Sequence, residues 1–331
     1  MLTLEGVSKA YKVGTFGGKE LPAVQNVSFE VAPGEVVSLI GESGSGKTTV
    51  GKMILRLIGI TAGRISLDGN DISAIKGHDL KAYYRKVQGV FQDPFSSFNP
   101  MFKADHVLGM MRDEYFPGIS AAAWASKVEG SLESVSLNPG QVLNKYPHQL
   151  SGGQLQRLLI ARALLLEIEI LVADEIISML DASTRIDVVN LLGDLKARGL
   201  GILFITHDLS LGNYISERTV ILRQGRIVEM GATPAVFGRP LHPYTRMLIE
   251  SVPQVHQKWE PIDVGIGAAT GWAPATTEPC LYHGARPGGG TTAAPGGPAG
   301  LARPGLAEVE DGHFVGCVQF NPDGTCGGRP A

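Results

Sequence analysis

The run Glu35-Val36-Val37-Ser38-Leu39-Ile40, followed by GESGSGKT at Gly41 to Thr48, restricts the fold of this chain more than any other feature. An apolar, β-rich segment enters a glycine-rich turn, and the following VGKMILRLI has helical spacing, so the turn joins a buried strand to a helix. That context predicts a phosphate-binding loop. Gly41, Gly44 and Gly46 are expected to allow positive φ angles and close backbone approach to an anion, while free N–H groups at the helix start point toward it. Lys47 is placed to reach the β- and γ-phosphates of a nucleotide, and the Thr48 hydroxyl to ligate Mg²⁺. Ser43, Ser45 and Thr49 belong to the same cradle.

A phosphate loop alone does not separate kinases, GTPases and transport ATPases, so the later strands carry the next step. Ile170-Leu171-Val172-Ala173 is a continuous apolar run ending in two carboxylates, as a central parallel strand delivers acids to its C-terminal edge. Asp174 is placed to hold Mg²⁺ through water. Glu175, on the next residue and facing the other way, can polarise an attacking water as a general base. Ile202-Leu203-Phe204-Ile205 reads as another buried strand ending at Thr206-His207-Asp208. His207 would there sit beside a γ-phosphate and donate a hydrogen bond to it. Gln92, after Val90-Phe91, is a second candidate γ-phosphate and Mg²⁺ sensor, although an ordinary polar strand end would read the same way.

LSGGQLQR at Leu150 to Arg157 joins these motifs, and together they resemble the nucleotide-binding subunit of an ATP-binding cassette (ABC) transporter. The resemblance runs from about Leu2 to about Pro253. It implies a head-to-tail dimer in which Ser151, Gly152, Gly153 and Gln154 of one subunit bind the γ-phosphate of ATP held by the other, so that one copy cannot form a complete site. It also implies that Tyr11 stacks on adenine, an assignment that a packing tyrosine would imitate. Asp181 in SMLD would lie in the loop crossing the dimer interface, and Gln92 with DPFSSFNP would touch the membrane subunits.

The chain departs from the family pattern at two places. Ile176 stands where DEP is usual, and Ile168 where a proline commonly precedes the strand. Losing proline frees φ and restores an N–H, so loop rigidity and hydrolysis rate are expected to change modestly. QGVFQDPFSSFNP, GRIVEMGATPAVFGRP and LHPYTRMLIESVP resemble the oligopeptide/dipeptide branch of importer ATPases, which also handles some oligosaccharides and nickel. TAGRISLDG with SSFNP looks like the second of the two ATPases such systems carry. The implied partners are a paralogous ATP-binding subunit, two transmembrane permease subunits and, indirectly, an extracytoplasmic solute-binding protein. Two other classes compete: an ABC-type ATPase of DNA repair or translation, whose usual coiled-coil insertion or second cassette is missing here, and a cassette that binds ATP but hydrolyses it poorly.

With 331 residues, 44% of them hydrophobic, the chain can build one large domain and an appendage. We expect an α/β P-loop NTPase core spanning 1–238, with an N-terminal antiparallel β subdomain, a helical subdomain at about 93–159, and a C-terminal extension over 239–331. A net charge of −3 gives no electrostatic case for nucleic-acid binding. No apolar run is long enough to cross a membrane, and no signal peptide is evident, so the expected location is the cytoplasmic face of the cell membrane, attached through permeases.

Beyond Pro253 the composition shifts. Residues from about Gly265 to Pro304 are dominated by Gly, Ala, Pro and Thr and cannot bury enough surface to offset ordering entropy; Cys280-Leu281-Tyr282 and His313-Phe314-Val315 are candidate anchors. All three cysteines, Cys280, Cys317 and Cys326, lie in this tail. The resembling branch can carry an iron–sulfur cluster on four cysteines of such an extension. Here Arg286 occupies the second cysteine position, so either three thiolates with His313 hold a metal, or the site has decayed while its shape survives.

Overall fold

The computed structural model describes residues 1–13, 18–73, 75–252 and 306–316. β1 (Leu2–Val13) and β2 (Lys19–Val31) pair antiparallel, with Leu2 opposite Val31 and Leu4 opposite Phe29. Leu2, Leu4, Val7, Val27 and Phe29 are fully buried, as a sheet with one wet face requires of alternating apolar and polar residues. After β3 (Val36–Ile40) and α1 (Lys47–Ile54), β4 (Ala62–Leu67) and β5 (Asn70–Asp71) complete a four-stranded sheet in the order β2-β1-β4-β5.

α2 (His78–Lys86) then leads into β6 (Val87–Val90). The chain between β6 and β7 (Ile170–Asp174) is helical: α3 (His106–Tyr115), α4 (Ala121–Ser134), α5 (Pro139–Val142) and α6 (Gly152–Leu164). Strands and helices alternate again through α7 (Ala182–Ala197), β8 (Gly201–Thr206), α8 (Leu209–Ile215), β9 (Arg218–Arg223), β10 (Arg226–Ala232), α9 (Thr233–Gly238) and α10 (Pro243–Glu250). A hairpin of β11 (Leu306–Glu310) and β12 (His313–Gly316) ends the described chain.

The second sheet has the order β11-β12-β10-β9-β3-β8-β7-β6. Its centre, from β9 to β6, is parallel, whereas β10 and the hairpin are antiparallel additions at one edge. β3, β7 and β8 are buried at every position. Leu171, Ala173, Ile202 and Phe204 pack toward α6 and α7, while Ile170, Val172, Leu203 and Ile205 pack with Met53 of α1 and the antiparallel sheet. Helices or a second sheet on both faces explain why these strands read as continuous apolar runs. Ile168 and Ile176 are both buried in the α6–α7 core, so their side chains contribute packing that a proline would not reproduce.

The apolar island His313-Phe314-Val315 lies in β12, which pairs with β10 through Phe314 opposite Met230 and Val315 opposite Glu229. The Gly/Ala/Pro-rich stretch, Cys280-Leu281-Tyr282, Cys317 and Cys326 lie outside the described residues. No helix among the described residues is long and apolar enough to cross a membrane.

Candidate active site

Parallel strands end on one side of a sheet, and here the register aligns those ends. Ile40 of β3 lies beside Thr206 of β8, Asp174 of β7 beside Ile205 of β8, and Val90 of β6 beside Ala173 of β7. The phosphate loop, the acid pair, His207 and Gln92 therefore leave the same edge of the sheet. Gln92 follows β6 with an exposed side chain.

Gly44 and Gly46 have φ of 81° and 105°, a region most side chains avoid. Gly41 differs from expectation: it is not among the positive-φ residues, and its requirement is close packing, because a Cβ there would lie 2.1 Å from the Leu222 carbonyl oxygen. Gly46 caps α1 without a side chain, so no capping group occupies the N–H groups of the first turn. Ser43 and Gly44 are exposed above them, and nothing lies within 4 Å of a Cβ built on Gly44. The Ser45 hydroxyl is buried without a hydrogen-bond partner among the described residues. Oriented donors and an open approach make an anion site.

Lys47 is buried and folds back on the loop, its Nζ donating to the carbonyls of Gly41 at 2.7 Å and Glu42 at 2.9 Å. Burial lowers its pKa from the ordinary value, against the upward pull of Glu175, Asp174 and Glu42. The Thr48 hydroxyl donates to Asp174 Oδ1 at 3.3 Å. Burial raises the Asp174 carboxyl above the usual range, the Thr48 hydrogen bond opposes this, and the Glu175 charge adds to it. A buried carboxylate beside a hydroxyl, both hard oxygen donors, suits Mg²⁺, whose charge would offset the penalty on Asp174. These two side chains fit the ion.

Glu175 adopts φ of 55°, left-handed for a residue with a side chain. Its N–H donates to the Ile205 carbonyl at 2.9 Å, and its Oε2 lies 2.6 Å from His207 Nδ1. The Glu175 side chain is 13% exposed and that of His207 63%, so the pair reaches from the strand end into solvent. A carboxylate held by a ring nitrogen at an open edge can accept a proton from a water lying beside it.

The remaining sequence-predicted residues occupy three helix starts and a strand. Ser151 caps α6 by accepting from the Gln154 N–H at 3.2 Å, and Gln154 Oε1 accepts from the Ser151 N–H at 2.9 Å, a reciprocal capping box. Gly152 begins the helix, and Gly153 packs so tightly that a Cβ would lie 2.4 Å from Thr184 Cγ2 of α7. Asp181 caps α7 and is itself exposed; hydrogen bonds from the Ser183 hydroxyl, the Thr184 N–H and the Thr184 hydroxyl hold its carboxyl far below the usual range. Thr49 lies in the first turn of α1. Tyr11, 39% exposed on β1, has the Lys9 ammonium 5.3 Å from its ring centroid.

Away from this edge, His313 meets a carboxylate. It is buried, and its Nε2 lies 2.8 Å from Glu229 Oε1 in the interior between β10 and β12. That nitrogen is engaged by a carboxylate, and the three cysteines named with His313 as a ligand set lie outside the described residues. Glu229 also accepts from the N–H groups of Leu241 and His242, each at 2.9 Å. Burial pulls its carboxyl up, and the hydrogen bonds, that of His313 foremost, outweigh burial and leave it below the ordinary value. The sequence signal for this cluster was a lone glutamate inside the apolar run Ile227-Val228-Glu229-Met230, which a strand can bury only with partners.

Comparison with known proteins bears on this geometry. Residues 24–178 match the ABC transporter family model, and residues 228–287 match that of the oligopeptide/dipeptide transporter C-terminal region. The chain is 39% identical over 333 aligned positions to a Brucella ovis protein named "Putative peptide import ATP-binding protein", covering 97% of this chain and 98% of that one. It is 40% identical to the oligopeptide transport ATP-binding protein OppF of Streptococcus mutans, over 80% of this chain and 88% of that one. Among solved structures, the dimeric post-hydrolysis state of the ATP-binding cassette MJ0796 with ADP and Pi superposes with a TM-score of 0.63 at 30% identity, covering 70% of this chain and 99% of that one. Motifs, fold and relatives agree, and the chain belongs to the ATP-binding subunits of ABC transporters, as an ATPase of the import branch.

Proposed function

We propose that this chain powers uptake of oligopeptides or dipeptides, or of oligosaccharides handled by the same branch, by hydrolysing ATP beneath separate permease subunits. The observation that carries the reading is the single sheet edge where Lys47, the Thr48–Asp174 pair and the Glu175–His207 pair meet. The cargo class rests on the match of the C-terminal region and on relatives named for peptide import.

In this reading the first-turn N–H groups of α1 and Lys47 bind the phosphates, and Lys47 exchanges the carbonyls of Gly41 and Glu42 for phosphate oxygens. Thr48, Asp174 and Gln92 would hold Mg²⁺, which would supply charge neutralisation of the phosphoryl group. Glu175 takes the proton of the attacking water, and His207 holds the carboxylate in place while facing the γ-phosphate. Tyr11 receives the adenine once Lys9 yields the ring face. Ser151, Gly152, Gly153 and Gln154 cap the nucleotide of a second ATP-binding subunit, a paralogue in this reading, and Asp181 couples the two sites. Phe95, Met101 and Phe102 are exposed apolar residues just beyond Gln92, and they support a permease-docking surface that would hold the protein at the cytoplasmic face of the membrane.

Exchanging Glu175→Gln in the assembled transporter tests the core of this proposal. Glutamine keeps the shape and loses the base, so turnover should fall on the order of 10²- to 10⁴-fold while Mg·ATP still binds. A variant that hydrolyses ATP like the wild type would remove Glu175 from the role. Uptake of a labelled peptide that persists without ATP would remove the transport assignment.

A further inference from the structure

Tyr244 lies 202 positions from Glu42 in sequence, yet its phenol oxygen accepts a hydrogen bond from the Glu42 N–H at 3.2 Å. The same Gly41–Glu42 peptide presents the Gly41 carbonyl to Lys47 Nζ at 2.7 Å. A planar trans peptide carries its N–H and C=O on opposite sides, so Tyr244 and Lys47 grip one rigid plate from two ends. The Glu42 carbonyl is held as well, by Lys47 Nζ and by the Ser45 N–H at 3.1 Å. Tyr244 is 1% exposed, packed with Ile40, Leu209, Ile221 and Val236, and the Arg223 guanidinium stands 4.9 Å from its ring centroid. Burial raises the phenol's pKa to about 12, so it stays neutral through the physiological range.

What fixes Tyr244 is the start of α10. His242 caps that helix by accepting from the Tyr244 N–H at 3.0 Å, and the N–H groups of Leu241 and His242 are clamped by the Glu229 carboxylate. The clamp is closed from the other side by His313 of the C-terminal hairpin.

We propose that Tyr244 is a positioning residue of the nucleotide site: it orients the Gly41–Glu42 peptide, and with it the resting place of Lys47, and the Glu229–His313 clamp holds it in register. The inference rests on the ATP-site reading above and extends it to a helix and a hairpin outside the residues named there.

The test uses the full chain carrying Tyr244→Phe, which keeps the ring against Arg223 and deletes only the oxygen. Mg·ATP binding by titration calorimetry should weaken about fivefold, and KM for ATP in the assembled transporter should rise by a similar factor with kcat within twofold. A merely structural loss would instead lower the active fraction, reducing kcat at unchanged KM. Tyr83→Phe is the control, since that buried hydroxyl bonds the Ile54 carbonyl at 2.6 Å, away from the loop; it should lower stability and leave Kd unchanged. His313→Ala should weaken Mg·ATP binding in the same direction, and His313→Gln, which can still donate to Glu229, should restore it. Should Tyr244→Phe fail to fold, amide exchange in the wild type decides: Glu42 is an exposed residue whose N–H should exchange more slowly than that of Ser43. Equal Kd for Tyr244→Phe and wild type, or equal exchange at Glu42 and Ser43, overturns the inference alone. Wild-type protein that does not bind Mg·ATP overturns the site reading and this inference together.

Discussion

Replacing Gly153 by alanine would place a methyl group 2.4 Å from Thr184 Cγ2, well inside van der Waals contact. Thr184 cannot swing that methyl aside freely, because its Oγ1 donates to Asp181 Oδ2 at 2.8 Å and the branched carbon turns both substituents together. Either the hydroxyl bond is given up, at about 0.5–1.5 kcal/mol, or α6 shifts against α7, with overpacking costs of about 1–3 kcal/mol. The cheaper route prevails, so we expect Gly153→Ala to destabilise the isolated subunit by about 0.5–1.5 kcal/mol, a fall in Tm of roughly 2–5 °C. Thr184→Ser removes Cγ2 and keeps the hydroxyl, so the double variant should recover most of the loss, with a coupling energy of about 0.5–1.5 kcal/mol. Urea and thermal unfolding of the four proteins of this cycle, followed by circular dichroism, supply the numbers. The reasoning fails if Gly153→Ala is as stable as wild type, or if adding Thr184→Ser recovers nothing. The same proteins in the assembled transporter separate two demands on the glycine. Recovered ATPase activity in the double variant would assign Gly153 to packing alone, and persistent loss would assign it to close approach of a phosphate.

Two further outcomes follow from the geometry. Gly41→Ala sets a Cβ 2.1 Å from the backbone oxygen of Leu222, which cannot rotate away as a side chain would; Mg·ATP binding should be abolished in titration, and near-normal affinity would contradict the close approach of loop and β9. His242 is buried with its pKa pushed down from 6.5 to about 4, chiefly by desolvation, so between those values the unfolded chain binds the proton and the folded chain does not. Stability from this residue is complete above about pH 6.5 and is lost as pH falls toward 4, on the order of 3 kcal/mol in all. His242→Asn, a capping residue that does not titrate, should flatten the stability profile in that window; an unchanged slope by denaturant titration at stepped pH would refute the assignment.

The parts of this protein that could be read from sequence are those whose chemistry is local. GESGSGKT, the acids after β7 and the histidine after β8 each announce themselves within a few residues, because a strand end and a turn suffice to place them. The constraint on Gly41 is the Leu222 carbonyl, 181 positions away, which its motif does not reveal. His313 stands near the cysteines in sequence, and folding joins it to Glu229, 84 positions earlier. Tyr244 sits in a motif that pointed to a transporter branch, and nothing in that motif reveals that its oxygen meets the phosphate loop. Contacts of this span depend on strand order and helix packing, which hydrophobic periodicity does not encode.

The antiparallel hairpin at the end of the large sheet bears on how this protein can be shortened. β10 would otherwise present an unsatisfied rim, and among the described residues β12 covers it through two paired positions. Cutting the chain ahead of Leu306 would strip that cover, uncover Met230, and strand the Glu229 carboxylate without its imidazole partner. A trimmed cassette that retains every catalytic motif would thus be prone to self-association, and the boundary of a well-behaved fragment lies past Gly316 rather than at the last helix of the nucleotide-binding core.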